Sequence, residues 1–227
     1  MMKDIPLNEE AIEILNEALW FLKDERYKAV PLQCAKFATV EDAEQYTSLD
    51  FFQKIRQKGG DHNGFPDALV GYSFGSSNFM FDPKGSEILA EEVGSKLTDF
   101  FQKLMSTFNL RKNALFSVYP PEVGYISWHN NANASAYNFI FTYSETGEGW
   151  WKHYDPIKDE IVTIPDVKGW QCKAGYFGAY EDGYDKIVYH AARNHGKGLR
   201  MTVAFVLDRS DLSQGLQDWV IEDIRAD

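Results

Sequence analysis

The sequence predicts an α+β protein in which helices come first and an all-β half follows. Up to about residue 112 the apolar residues recur at helical spacing, and after Asn113 their period falls from about 3.6 residues to about 2. In the second half, Gly, Pro, Asp and Asn separate short aromatic-rich segments at intervals typical of sandwiches and barrels. For 227 residues we expect one domain, mostly helical over 1–112, with a strand core over 113–208 and a C-terminal helix over 209–227.

Three helices are expected in the first half. Asn8 and Thr39 are placed to cap the first two, over about residues 8–28 and 39–58. The third begins at Asp82 and carries an apolar stripe whose members are three or four positions apart: Leu89, Val93, Leu97, Phe100, Leu104 and Phe108. Such a stripe needs a partner surface, so we expect an N-terminal helical layer across one face of a β-sheet.

Eight short strands are expected in the second half, because polar and apolar residues alternate there. Their expected ranges are 114–121, 123–130, 135–144, 149–155, 160–166, 173–180, 186–191 and 199–208.

The composition indicates a cytoplasmic protein. The formal net charge is −11, which argues against non-specific nucleic-acid binding, since that binding depends on Lys and Arg. Cys34 and Cys172 follow no paired spacing, so a reducing compartment is expected. The N-terminus is charged within its first dozen residues, unlike a signal peptide, and no uncharged apolar run reaches the length of a membrane span.

Two histidines and one amide form a candidate metal site. His129 and Asn131 lie two positions apart at the end of one expected strand, and His190 lies at the end of another. A barrel can bring such ends together. Two imidazoles and one oxygen ligand would then share one face of a metal ion and leave other positions open.

Strand alternation indicates which side chains converge. We expect Tyr125 and Ser127 to share the face of His129. In the last strand, Arg200 and Thr202 share one face, and the other face is purely apolar. If the apolar face packs against the helices, Arg200 faces the interior. A buried Arg needs an anion, and either an Asp or Glu of the chain or a bound carboxylate ligand would serve.

These residues resemble the motif of the Fe(II)- and 2-oxoglutarate-dependent dioxygenases, which is His-x-Asp, a distal His, then Arg with Ser or Thr two residues on. The match is confined to the C-terminal half, and the sequence most resembles uncharacterised members of the family from tailed phages and bacteria. The resemblance implies a double-stranded β-helix (jelly-roll) barrel. It implies that His129 and His190 hold Fe(II). It also implies that Arg200, helped by Thr202, binds the small-molecule co-substrate 2-oxoglutarate, with Tyr137 nearby.

Asn131 departs from that motif, because an Asp or Glu is expected at its position. Asn131 could ligate through its amide oxygen, a carboxylate from elsewhere could replace it, or the site could bind metal weakly or not at all. A rival His-x-Asp exists at His153 and Asp155, but its interval to His190 is shorter than is usual in the family. His62 lies in a loop and is expected at the surface.

Three functions are compatible with these residues. The first is an oxygenase that uses Fe(II) and 2-oxoglutarate. The second is a jelly-roll binding module, in which aromatic residues recognise a ligand and Arg200 simply pairs inside the barrel. The third is a cupin-like metalloenzyme that uses iron without 2-oxoglutarate. No motif near these residues distinguishes a peptide, a nucleic acid or a small molecule as primary substrate.

Overall fold

The computed structural model describes residues 2–24, 32, 34–73, 87–132, 134–208 and 214–226. The α-helices within these ranges are α1 (Glu9–Asn16), α2 (Trp20–Lys23), α3 (Val40–Tyr46), α4 (Leu49–Lys58), α5 (Glu87–Phe108) and α6 (Gln214–Ile224). Both predicted caps are confirmed, because Asn8 accepts from the Ala11 N–H at 2.8 Å and Thr39 accepts from the Asp42 N–H at 3.0 Å.

The helix predicted over 39–58 is two helices. Ser48 separates α3 from α4, because its side-chain oxygen accepts the Phe51 N–H at 3.1 Å and so begins a new helix. The predicted start of the third helix at Asp82 lies outside the described residues.

The strands are β1 (Lys3–Ile5), β2 (Leu69–Val70), β3 (Tyr72–Ser73), β4 (Lys112–Tyr119), β5 (Gly124–His129), β6 (Ala136–Ser144), β7 (Gly149–Asp155), β8 (Glu160–Pro165), β9 (Gly169–Phe177), β10 (His190–Asn194) and β11 (Arg200–Asp208). The last eight correspond to the eight strands expected from the sequence. Two of them are displaced: β9 begins at Gly169 rather than at residue 173, and β10 begins at His190 instead of ending beside it.

The described strands form two antiparallel sheets. The six-stranded sheet has the order β1-β9-β6-β11-β4-β3, and the five-stranded sheet has the order β2-β5-β10-β7-β8. From β4 onward, neighbours within a sheet are mostly not consecutive in the chain, which is the interleaved order of a jelly-roll type sandwich.

The helices do not form a single layer. The outer cluster, defined as the apolar core that α1, α5 and α6 form against the six-stranded sheet, includes Leu15, Leu104, Phe139, Val203 and Phe205. By contrast, α3 and α4 cover the five-stranded sheet, where Phe52 of α4 packs on Trp128 with ring centroids 4.9 Å apart. No helix in the described part of the chain is long and apolar enough to cross a membrane.

A cavity of about 740 Å³ lies among the inward-facing side chains of the two sheets. Its walls include the apolar residues Ile140, Trp151, Phe177, Ala192 and Ala204, which pack together between the sheets. The fold thus places the space for a ligand inside the sandwich.

Candidate active site

Two of the predicted metal ligands meet at the cavity. His129 ends β5, His190 begins β10, and the two residues are partners in the antiparallel pairing of these strands. Their ring centroids are 4.1 Å apart, and both side chains line the cavity. Antiparallel neighbours run in opposite directions, so the end of one strand lies beside the start of the next.

Hydrogen bonds to the backbone fix how each ring presents its nitrogens. Nδ1 of His129 lies 2.8 Å from the Ser127 carbonyl oxygen, and Nδ1 of His190 lies 3.0 Å from the Val188 carbonyl oxygen. A carbonyl oxygen can only accept, so each Nδ1 carries a proton and donates it. In the neutral rings, Nε2 then offers its lone pair, which is the usual arrangement of a metal-binding histidine.

Burial keeps both rings neutral. It lowers the pKa of His190 to about 4. Burial and the neighbouring His190 ring together hold the pKa of His129 well below its ordinary value. Both imidazoles are therefore uncharged near pH 7, which is the state that binds a metal.

A β-bulge decides which side chains of β5 face the cavity. His190 and Ala192 are two positions apart on β10, whereas their partners His129 and Ile126 are three apart on β5. The extra residue changes the alternation of faces. Ile126 lines the cavity with His129, while Tyr125 packs beneath α3. The expectation that Tyr125 shares the face of His129 was therefore wrong.

Asn131 also lines the cavity, just beyond the end of β5. Among the residues that the structure describes, no group of three His, Cys, Asp or Glu is placed to hold a metal ion. Asp61 contributes a carboxylate to the cavity lining, but it is exposed. Among the described residues, Asn131 is therefore the candidate for the third ligand of a metal held by the two histidines.

Arg200 and Thr202 line the same cavity at its opposite end. Arg200 pairs with Tyr119 at the end of β4, and a short turn connects that end to the start of β5, whereas His129 lies where β5 finishes. Arg200 is 1% exposed. Its Nη1 donates to the Thr202 hydroxyl oxygen at 3.0 Å.

The chain itself supplies the anion that Arg200 needs. Nε of Arg200 donates to Oδ2 of Asp166 at 2.7 Å, and Nη2 donates to Oδ1 at 3.4 Å. Burial opposes the charge of Arg200, but Asp166 outweighs that effect and the pKa of Arg200 is raised. Asp166 directly follows β8 and lies 34 residues before Arg200 in the chain. The sequence around Arg200 therefore gave no sign of this partner.

Tyr137 does not reach the cavity. It belongs to the outer cluster, where its ring centroid lies 5.2 Å from that of Phe139. The next residue, Asn138, lines the cavity instead. Successive strand residues point to opposite faces, so Tyr137 and Asn138 cannot both face inward. The resemblance had placed Tyr137 near 2-oxoglutarate, and its position in β6 gives that idea no support.

The two residues of the rival motif, His153 and Asp155, do not act together at one site. His153 is the strand partner of His190 on β7, and its ring packs 5.0 Å from that of Trp151. Asp155, however, accepts the N–H groups of Ile157 at 2.9 Å and Lys158 at 3.2 Å. Its carboxylate therefore closes the turn between β7 and β8.

His62 is a cavity residue that the sequence did not reveal. It is 3% exposed, although a surface position was expected. Its Nδ1 accepts the Gly64 N–H at 3.0 Å, so the proton of the neutral ring lies on Nε2. Nε2 is buried and has no hydrogen-bond partner among the described residues. Burial, followed by the charge of Lys58, lowers the pKa of His62.

Solved structures that are similar to this chain at a low level include two prolyl hydroxylases. A prolyl-4-hydroxylase from Pseudomonas putida has a TM-score of 0.34 and 8% identity, over 82% of this chain and 96% of that one. A viral collagen prolyl hydroxylase from Paramecium bursaria Chlorella virus-1, solved as a 2OG complex, has a TM-score of 0.32 and 12% identity, over 75% and 91%. No protein-family model and no curated protein matches the sequence. Likenesses this low assign neither an activity nor a site.

Proposed function

We propose that this protein is an Fe(II)- and 2-oxoglutarate-dependent oxygenase, and that its strand core is the double-stranded β-helix of that family. The main support is the pair His129 and His190. Both rings are buried and neutral, each is oriented by a backbone carbonyl through Nδ1, and they lie side by side on a cavity. Burying two imidazoles so that both Nε2 lone pairs remain available is what a metal site requires.

The donor set fits a divalent transition metal in part. Imidazole is a common ligand of Fe(II), and Asn131 would add a neutral amide oxygen where the family has a carboxylate. When bound, Fe(II) would supply the oxygen chemistry, with one atom of O₂ entering a substrate C–H bond as hydroxyl and the other entering succinate as 2-oxoglutarate loses CO₂. In this proposal His129 and His190 hold the metal.

The other cavity residues would position the organic molecules. Thr202 and the Arg200 N–H groups that do not bond Asp166 or Thr202 would bind the distal carboxylate of 2-oxoglutarate. The apolar wall that includes Ile140, Trp151 and Phe177 would exclude water from the reacting centre. A volume of about 740 Å³ falls in the range of small-molecule sites.

The test is to mix metal-free protein with Fe(II) and 2-oxoglutarate without oxygen and record the visible charge-transfer band of the chelate. We expect a band in the wild type that is lost in His129→Ala and His190→Ala and weakened in Arg200→Ala. His195→Ala is the control, because His195 is an exposed turn residue. If only Asn131→Asp shows the band, the natural protein no longer binds iron productively. If neither protein shows it, the oxygenase proposal is rejected.

A second candidate is a jelly-roll binding module without metal chemistry. Two observations favour it: Arg200 already has a carboxylate partner, and the first motif lacks its own carboxylate. The metal content of the purified and reconstituted protein separates the two functions, because a binding module would hold no stoichiometric iron. A cupin-like enzyme would instead lose activity in His129→Ala and keep it in Arg200→Ala.

A further inference from the structure

We infer that Asp166 determines how strongly this cavity binds carboxylate ligands, because it neutralises Arg200 from inside the protein. The inference deepens the proposed function, since it concerns the residues assigned to the distal carboxylate of 2-oxoglutarate. A ligand carboxylate must share one guanidinium with Asp166, so Asp166 weakens anion binding and selects against ligands that depend on charge alone.

The pair between Asp166 and Arg200 is a built feature of the interior. The side chains are 0% and 2% exposed, and two hydrogen bonds join them. Gln171 on β9 donates from Nε2 to Oδ1 of Asp166 at 2.8 Å. Gly149 makes room for the carboxylate, because a Cβ at that position would collide with Oδ2 of Asp166. Three parts of the chain therefore hold Asp166 in place.

A second buried cation, Lys173, lies near the pair. Lys173 is buried on β9, and the charges of both Asp166 and Arg200 act on its pKa. Burial lowers the pKa of Lys173, while Asp166 and then Asp4 oppose that shift. Asp4 is the strand partner of Lys173 on β1. Asp166 is therefore the buried carboxylate that balances the charge of Arg200.

The guanidinium still has hydrogen-bonding capacity. Its three hydrogen bonds to Asp166 and Thr202 use Nε, Nη1 and Nη2 once each, and each terminal nitrogen carries a second N–H. Because Arg200 lines the cavity, a ligand carboxylate could accept from those groups. It would then lie within a few ångströms of the Asp166 carboxylate, and two like charges that close repel strongly in a buried site.

The experiment measures binding of glutarate to metal-free protein by calorimetry. Glutarate has the two carboxylates of 2-oxoglutarate but lacks the oxo group that chelates a metal. We expect Asp166→Asn to bind glutarate at least about tenfold more tightly than the wild type, because one repelling charge is removed. Asp155→Asn is the matched control. It makes the same change at a turn remote from Arg200 and should leave the affinity unchanged.

The double variant Asp166→Asn/Arg200→Gln tests whether the gain depends on the guanidinium, and it should lose the tighter binding. If Asp166→Asn is folded and binds glutarate no more tightly than the wild type, the inference is wrong. If that variant unfolds too readily for calorimetry, glutarate should raise its melting temperature more than that of the wild type, and the absence of such a rise is equally decisive. Iron plays no part, so a missing charge-transfer band rejects the proposed function without deciding this result.

Discussion

The two ends of the cavity differ in how far the chain satisfies its own polar groups. At the histidine end, backbone carbonyls orient His129 and His190 and leave their Nε2 lone pairs available. At the arginine end, Asp166 and Thr202 already accept the hydrogen bonds of Arg200. The first end is prepared for a partner from outside the protein, and the second is largely complete without one. Metal affinity should therefore depend most on the histidines, and stability most on the buried ion pair.

The largest effect is expected from breaking the ion pair. Arg200→Gln leaves Asp166 charged and buried without its partner, which should lower the free energy of unfolding by about 3–5 kcal/mol. Urea denaturation measures the loss. The neutral double variant Asp166→Asn/Arg200→Gln should regain more than half of it. A single variant within about 1 kcal/mol of the wild type would show that the arginine end does not stabilise the fold.

Acid should destabilise the metal-free protein through the histidine end. The pKa of His190 is about 4 in the folded state, compared with about 6.5 when unfolded, so the unfolded chain binds more protons between these values. The stabilisation is complete above pH 6.5 and is lost as the pH falls toward 4, by up to about 1.4 kcal/mol per pH unit for each such histidine.

Urea unfolding at pH 7, 6 and 5 checks this sign. His190→Asn should flatten the pH dependence, because it removes the imidazole whose pKa burial lowers. Stability that rises on acidification would contradict the neutral state of the histidine pair.

Restoring the carboxylate of the motif should strengthen the histidine end. Asn131→Asp adds a negative ligand beside two neutral imidazoles, so we expect Fe(II) affinity to rise by about tenfold, or about 1.4 kcal/mol. Anaerobic titration measures it. Asn63→Asp adds the same charge at another residue of the cavity lining and is the matched control. An equal gain in both variants would mean that general electrostatics, and not ligation at Asn131, raises the affinity.

The smallest effect is expected at Thr202. Thr202→Val removes the hydroxyl that accepts from Nη1 of Arg200 and keeps the side-chain shape, so the loss should be about 1 kcal/mol. Thr163→Val, at an exposed position on β8, should change stability by less than about 0.5 kcal/mol. A loss at Thr202 as large as that of Arg200→Gln would mean that Asp166 is not the main partner of Arg200.

Local patterns in the sequence predicted much of the fold. The caps at Asn8 and Thr39, the eight strands and the apolar face of β11 are all properties of short segments. The final strand is an example. Met201, Val203 and Phe205 face the helices as alternation predicts, and Arg200 faces the cavity.

The parts that could not be predicted depend on pairing between distant segments. A single extra residue in β5 reverses the face of Tyr125, and no local signal marks that bulge. Asp166 meets Arg200 only because separate strands bring them together, and the loop of His62 folds inward over the cavity. Tyr137 is different, because alternation with Phe139 and Phe141 would have indicated its outward direction from the sequence.

The most direct test of the histidine end is anaerobic titration of metal-free protein with Fe(II), comparing the wild type with His129→Ala, His190→Ala and His195→Ala. We predict that the wild type and His195→Ala bind about one Fe(II) per chain, and that each of the other two variants loses at least about 100-fold in affinity. Equal binding by all four proteins, or no binding by the wild type, would contradict a metal site at His129 and His190.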